Sequence, residues 1–217
     1  MRGLSVVVSL LLCWCAGCLS SDAPAARAWT LDAAPSAPAG AVLEGAGKAA
    51  FATTRVGTVA VDAPYDKTPF VVRREDGSVA FDHYNVFASS PAALLRAPVR
   101  NRIGSDGRFG SVVNPSSVAW ADAQVEVQVT DLSLDCRTSG RRLARAALAL
   151  DVVKAGHGPR VVALQGAGSG EADAAAGDYA QAFSSAVDAA LAEALKALKA
   201  PVREAARAVE TGRKRRR

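Results

Sequence analysis

Val125-Glu126-Val127-Gln128-Val129-Thr130-Asp131-Leu132-Ser133-Leu134 alternates apolar with polar side chains and then changes phase. A period of two is the signature of a strand with one face against a core and the other toward water. Val125, Val127 and Val129 share a face, and Leu132 and Leu134 join it only if one extra residue is accommodated. The stretch therefore predicts one long strand with a bulge or bend near Asp131. Downstream, Leu143 to Val153 is mostly apolar and bounded by Gly140 and Gly156, so it reads as a strand despite its alanines. Arg160 to Gly166 can pair with it as a hairpin. Upstream, Arg55 to Asp62 carries Val56, Val59 and Val61 and ends at Ala63-Pro64. Phe70 to Arg74 and Val79 to Phe81 flank Glu75-Asp76-Gly77-Ser78, a hairpin signal because glycine accepts the positive φ of such turns. Phe109 to Val113 is a further short strand after the turn region Gly104 to Gly110.

Two helices complete the pattern. Tyr179, Phe183, Val187, Leu191, Leu195 and Leu198 recur every three or four residues, with Asp178 placed to cap. Pro91 to Ile103 is the other: Ser89 or Ser90 precedes it, Pro91 sits where a first-turn proline is tolerated, and Leu94, Leu95, Val99 and Ile103 share a face. Pro98 inside it predicts a kink or an early end. The expected fold class is α+β: a two-layer α/β sandwich, with a mainly antiparallel sheet and the two helices packed on one face.

The chain has 217 residues, half of them apolar but only 6% aromatic, which suggests thin layers built from Ala and Val. Its formal charge of +5 equals the contribution of Arg213, Lys214, Arg215, Arg216 and Arg217 alone, so the rest is near neutral and gives no sign of a nucleic-acid surface. That basic tail has three readings: contact with anionic lipid headgroups, contact with an acidic partner, or a solvated end.

The amino terminus reads MRGLSVVVSLLLCWCAGCLSS. Arg2 supplies a positive start, Leu4 to Leu12 an apolar run, and Ala16-Gly17 the small residues that a signal peptidase requires before Cys18. Cys15-Ala16-Gly17-Cys18 fits a lipobox at its last three positions and departs at the first, where Leu is usual. Residues 1–17 are thus expected to be a lipoprotein signal peptide, with diacylglycerol and an N-acyl group (palmitate or similar) on Cys18. The alternatives are ordinary secretion and an uncleaved anchor, which at 17 uncharged residues (3–19) sits at the short limit of the ~20 that spanning needs. Leu19 rather than Asp after the cysteine favours the outer membrane, periplasmic face. Residues 18–52 read as the lipidated cysteine and a flexible Ala/Pro/Gly-rich tether, in which Trp29-Thr30-Leu31 could dock on the body. The α/β domain is expected over 53–200, and 201–217 as a polar helix end and disordered tail.

Several motifs resemble those of the ABC-type transport auxiliary lipoproteins, the PqiC-like family associated with MCE-linked intermembrane lipid transport. Trp29-Thr30-Leu31 sits where that family has an aromatic-x-Leu patch. Val59-Ala60-Val61-Asp62-Ala63-Pro64-Tyr65 is similar to its first strand and following loop, and Phe70-Val71-Val72-Arg73 to its second strand. His83-Tyr84-Asn85-Val86-Phe87-Ala88-Ser89-Ser90-Pro91 resembles the approach to its first helix, with Val86-Phe87 where the family commonly has Arg-Trp. The resemblance implies a non-enzymatic, lipid-anchored component of an envelope lipid transporter. It implies as partners an MCE-type substrate-binding protein and, through it, a permease and an ATPase, with homo-oligomerisation and no nucleic acid.

The residues themselves offer little chemistry. The histidines are only His83 and His157, expected in a pre-helix loop and in the turn Gly156-His157-Gly158-Pro159. With Cys136 the sole remaining thiol after processing, neither a metal set nor a catalytic triad assembles, so no catalytic residue, metal ligand or cofactor is expected. Gly166-Ala167-Gly168-Ser169-Gly170 fits neither a nucleophile elbow nor a dinucleotide loop and reads as a flexible strand-to-helix connection. Glu75-Asp76 and Glu171-Asp173 read as solvated turns. The rival functions are a surface lipoprotein hydrolase and a structural envelope protein with a TolB-type amino-terminal domain.

Overall fold

The computed structural model describes residues 25–31, 49–155, 161–175 and 177–200. Within them lie eight strands and two helices: β1 Arg27–Trp29, β2 Phe51–Val61, β3 Pro69–Arg73, β4 Val79–Phe87, α1 Pro91–Gly104, β5 Phe109–Val113, β6 Ala123–Asp135, β7 Leu143–Lys154, β8 Val161–Asp173 and α2 Tyr179–Ala197.

β6 is the spine. Its register against β7 shifts between Val129 and Asp131, so Thr130 absorbs the change of phase. Leu132 and Leu134 then enter the same buried cluster as Val125, Val127 and Val129. One edge of β6 carries β7, antiparallel along its length. The other edge carries two strands end to end: β2 pairs with its first half and β3 with its last three residues, both parallel. Residues 62–68 make the detour between them.

The expected, mainly antiparallel two-layer sandwich is therefore corrected. The sheet is mixed, and four of its seven pairings are parallel: β1 with β4, β2 with β5, β2 with β6 and β3 with β6. The physical reason is the crossover. Turn chemistry reveals hairpins such as β3–β4, whose Gly77 has φ +79°. A parallel pair needs a long return, here through α1 between β4 and β5, and leaves no local signal.

Both helices contribute to the one hydrophobic cluster. Leu95, Val99 and Ile103 of α1 are buried at intervals of four. Pro98 does not end that helix, which runs on to Gly104. α2 buries Tyr179, Ala182, Phe183, Ala186, Val187, Ala190, Leu191, Ala194 and Leu195, and Asp178 at its N-cap makes no side-chain capping bond. Arg108 joins α2 to the start of β5: it pairs with Asp106 at 2.7 Å and donates to the Leu195 carbonyl at 2.7 Å, a cation at the helix C-terminus. One cluster of aromatic rings forms where Phe70 meets Phe87 at 4.6 Å and Phe183 at 5.0 Å, while Phe51 stacks on Phe109 elsewhere.

Trp29 docks at this aromatic cluster. β1 runs parallel to β4, pairing Arg27 with Asn85 and Trp29 with Phe87. The indole meets Tyr179 edge-on at 5.5 Å and donates to Asn85 Oδ1 at 3.1 Å, while Leu31 is buried.

Candidate functional site

Alternation along β6, β7 and β8 places Ser133, Arg145 and Glu171 opposite one another on the sheet face away from the cluster that holds the helices. Two polar groups of atoms assemble there. In the first, Arg73 donates from Nη2 to Asp131 Oδ2 at 2.8 Å and to the Tyr65 hydroxyl at 2.6 Å, and from Nε to Ser133 Oγ at 3.1 Å. Ser133 in turn donates to Asp131 Oδ1 at 2.7 Å, and its hydroxyl is held at a fully buried position. Tyr65 belongs to the 62–68 detour, so this group ties the detour to β3 and β6.

In the second, Asp135, 6% exposed, is held by Arg137 from Nε and Nη2. Arg145 Nε approaches Asp135 at 2.7 Å without the alignment of a hydrogen bond, and its Nη2 reaches Glu171 at 2.9 Å. The hydrogen bonds from Arg137, helped by the charge of Arg145, lower the Asp135 carboxyl to about 2. A carboxylate so held remains an anion at any physiological pH and is a poor proton carrier.

At the end of the sheet where β3, β6 and β8 finish lies an open groove of about 750 Å³. It is lined by Arg74, Glu75 and Asp76 of the β3–β4 turn, Cys136, and Arg141 and Arg142 of the β6–β7 loop. Its guanidiniums are largely engaged: Arg141 pairs with Asp173 at 3.1 Å, and Arg142 donates to the Tyr179 hydroxyl at 2.7 Å. Burial pushes the Cys136 thiol up, so it is protonated at neutral pH and a weak nucleophile there.

Cys18, Arg213, Lys214, Arg215, Arg216, Arg217 and His157 lie outside the described residues. His83 is not in a loop but on β4, where it is exposed. Gly166 to Gly170 is no flexible connection, and Glu171 and Asp173 are no turn; all belong to β8. Glu75-Asp76 is a turn, as expected. Among the described residues, no group of three or more His, Cys, Asp and Glu side chains is placed to hold a metal ion, and no helix is long and apolar enough to cross a membrane. The Arg73–Asp131 and Arg145–Glu171 pairs escaped sequence reasoning. Their residues stand at the polar positions of alternating strands, a pattern that signals a face but not which charges meet across it.

No family model matches the sequence, and no curated protein does. Among solved structures, the fold is similar to that of protein XCC0632 from Xanthomonas campestris, described by the family model DUF330. The TM-score is 0.52 at 14% identity, over 76% of this chain and 86% of that one. A second crystallised chain, titled only an uncharacterized protein, aligns at TM-score 0.47 and 14% identity, over 73% of this chain and 90% of that one. What the chain shares with XCC0632, at this identity, is its fold.

Proposed function

We propose that the chain is a lipid-anchored, non-enzymatic auxiliary component of an ABC-type, MCE-linked intermembrane lipid transport system. In this reading Cys18 carries the lipid and holds the domain on the periplasmic face of the outer membrane. An MCE-type substrate-binding protein is its partner and links it to a permease and an ATPase. The sequence supports this through the lipobox and the motifs at Trp29, Val59 to Tyr65 and Phe70 to Arg73. The DUF330 description of XCC0632 is consistent with it, because PqiC-like proteins share that domain.

The observation that carries the reading is the docking of Trp29. The aromatic-x-Leu patch that the resemblance sets soon after the lipidated cysteine is bound into the sheet edge, with Trp29 only eleven residues beyond Cys18. A patch in a mere spacer has no reason to pair with β4 or to bury Leu31.

Intact-mass analysis of protein extracted from membranes tests the anchor. A residue 18 bearing diacylglycerol and a third acyl chain is expected, with Cys18→Ser released to the soluble fraction. Crosslinking in intact cells tests the partnership, and recovery of an MCE-type protein is the expected product. An unmodified cysteine, or a crosslinked set without such a protein, overturns the corresponding half of the proposal.

A further inference from the structure

We infer that the outer edge of β4, around Val79, Phe81 and Tyr84, is the surface with which the domain rests on the bilayer that holds its own lipid. The inference rests on the reading of Cys18 as the lipidated residue.

The first observation is the length of the leash. If the tether were free from residue 18 to the start of β2, the 33 steps from Cys18 to Phe51 would reach about 115 Å at full extension. β1 removes most of that reach. Only six residues lie between Cys18 and Ala25, the first described residue, so seven Cα steps keep the lipid within about 25 Å of it.

Direction is the second. β1 is parallel to β4 and starts at the level of Asn85, so its amino-terminal end, from which the leash leaves, lies on the Val79 side of β4's paired segment. From Asn85, Phe81 is four residues away, about 13 Å, and Val79 six residues, about 20 Å. The edge residues Val79 to Tyr84 are therefore within reach of the anchor.

The third is the surface itself. Val79, Phe81 and Tyr84 are large apolar side chains left 54%, 44% and 53% exposed. Among the described residues, the outer side of β4 is paired only at Asn85, Val86 and Phe87. Interfacial regions of a bilayer favour aromatic side chains and accept apolar ones. The other exposed large apolar side chains among the described residues, Val118, Trp120 and Val161, stand at or before the level of the first residue of β6, whereas Val79 is level with Asp135 at its last. The leash starts at Ala25, beside Asn85 and so near the level of Leu132; nine residues of strand, about 30 Å, separate that level from Ala123, more than the roughly 25 Å the leash extends. The turn beyond Val79 carries Arg74 beside Glu75 and Asp76, one cation against two anions, so the contact is apolar and insensitive to salt rather than an attraction to anionic headgroups.

The test uses full-length protein, lipidated in cells and reconstituted into vesicles of phosphatidylethanolamine and phosphatidylglycerol. Phe81→Cys and Val118→Cys, each in a Cys136→Ser background, receive an environment-sensitive fluorophore, and quenching by a doxyl-labelled lipid is measured at low and high salt. The probe at position 81 is expected to be quenched several-fold more than the one at position 118, equally at both salt concentrations. Equal quenching, stronger quenching at 118, or an effect abolished by salt overturns the inference while leaving the anchor intact. Intact mass, taken on the same samples, separates that from failure of the anchor: an unmodified Cys18 removes the leash and overturns both.

Discussion

Gly168 of β8 and Ala190 of α2 meet backbone to backbone: a Cβ on Gly168 would stand 2.3 Å from the Ala190 carbonyl oxygen. Gly166 and Gly170 repeat the relationship with Ala194 and Ala186, at 2.3 and 2.1 Å. Glycines two apart on a strand line one face, and alanines four apart on a helix line another, so the two small-residue rows let the helix lie closer than ordinary packing permits. Gly168→Ala is expected to lower stability by about 1–3 kcal/mol, because the atoms it meets are helix backbone and cannot swing aside. Ser169→Ala is the control: its side chain alternates to the other face and gives up only an exposed hydrogen bond to Glu193 at 3.3 Å, so it should cost less. Urea unfolding of the pair checks this; equal stability of Gly168→Ala and the parent would mean that the helix sits farther out.

That contact also explains what was legible in the sequence and what was not. The alternation of β6 and the bulge at Thr130 were readable because period and phase are local properties. The periodic face of α2 was readable for the same reason. Gly166-Ala167-Gly168-Ser169-Gly170 was misread because glycine normally signals conformational freedom, and its other use, close approach, depends on helix residues 16 to 28 positions downstream. His83 was misplaced because β4 extends six residues past Phe81, beyond the apolar run that announced it. The candidate polar groups were the least accessible: Arg73 finds Asp131 only because β3 lies parallel to the end of β6.

Asp135 gives the domain an acid-sensitive component. Its carboxyl is lowered from 3.8 to about 2, chiefly by the hydrogen bonds from Arg137. A depressed carboxylate adds stability that is fully present above the unfolded value, near pH 4, and is lost as pH falls through 2. Because Arg137 is half-exposed, the contribution is about 1–2 kcal/mol after allowing for solvent screening. Asp135→Asn should therefore be less stable at pH 7 by that amount and show a shallower loss between pH 4 and 2. Parallel acid titration slopes for variant and parent would contradict the assignment.

Arg73 serves three acceptors from one planar fork, a geometry an ammonium cannot reproduce. Arg73→Ala removes the cation that pairs with Asp131 and the donor to the buried Ser133 hydroxyl, leaving Asp131 only the Ser133 bond, and a loss of about 1–3 kcal/mol is expected. Arg73→Lys should recover only part of it. Tyr65→Phe, which removes one acceptor at a half-exposed site, should cost about 1 kcal/mol or less. Chemical denaturation of the three variants orders them, and a fully rescued lysine variant would show that charge alone matters.

Cys136 should react slowly. Burial raises its thiol, which keeps the thiolate scarce at neutral pH. Alkylation by iodoacetamide in the folded protein is expected to lag well behind that in urea and to accelerate as pH rises past 9. A folded-state rate matching the unfolded one would place the sulfur in open water.

Trp29 controls how far the body can stray from residue 18. Its carbonyl accepts the Ala88 amide at 2.7 Å, and its ring is held by Tyr179 and Asn85. Trp29→Ala deletes the edge contact and the indole hydrogen bond, leaving a three-residue strand on the sheet's margin with little to retain it. Exchange of the Ala88 amide is expected to speed by about tenfold or more, since a loss of roughly 1.4 kcal/mol is a factor of ten in the open population. Trypsin should cut after Arg27 faster in the variant than in the parent. The rest of the sheet should keep its protection, because β3 holds β4 independently of β1. If Ala88 instead exchanged with the whole sheet, β1 would be part of the global fold rather than a strap on its edge, and the length of the leash would be fixed by folding itself.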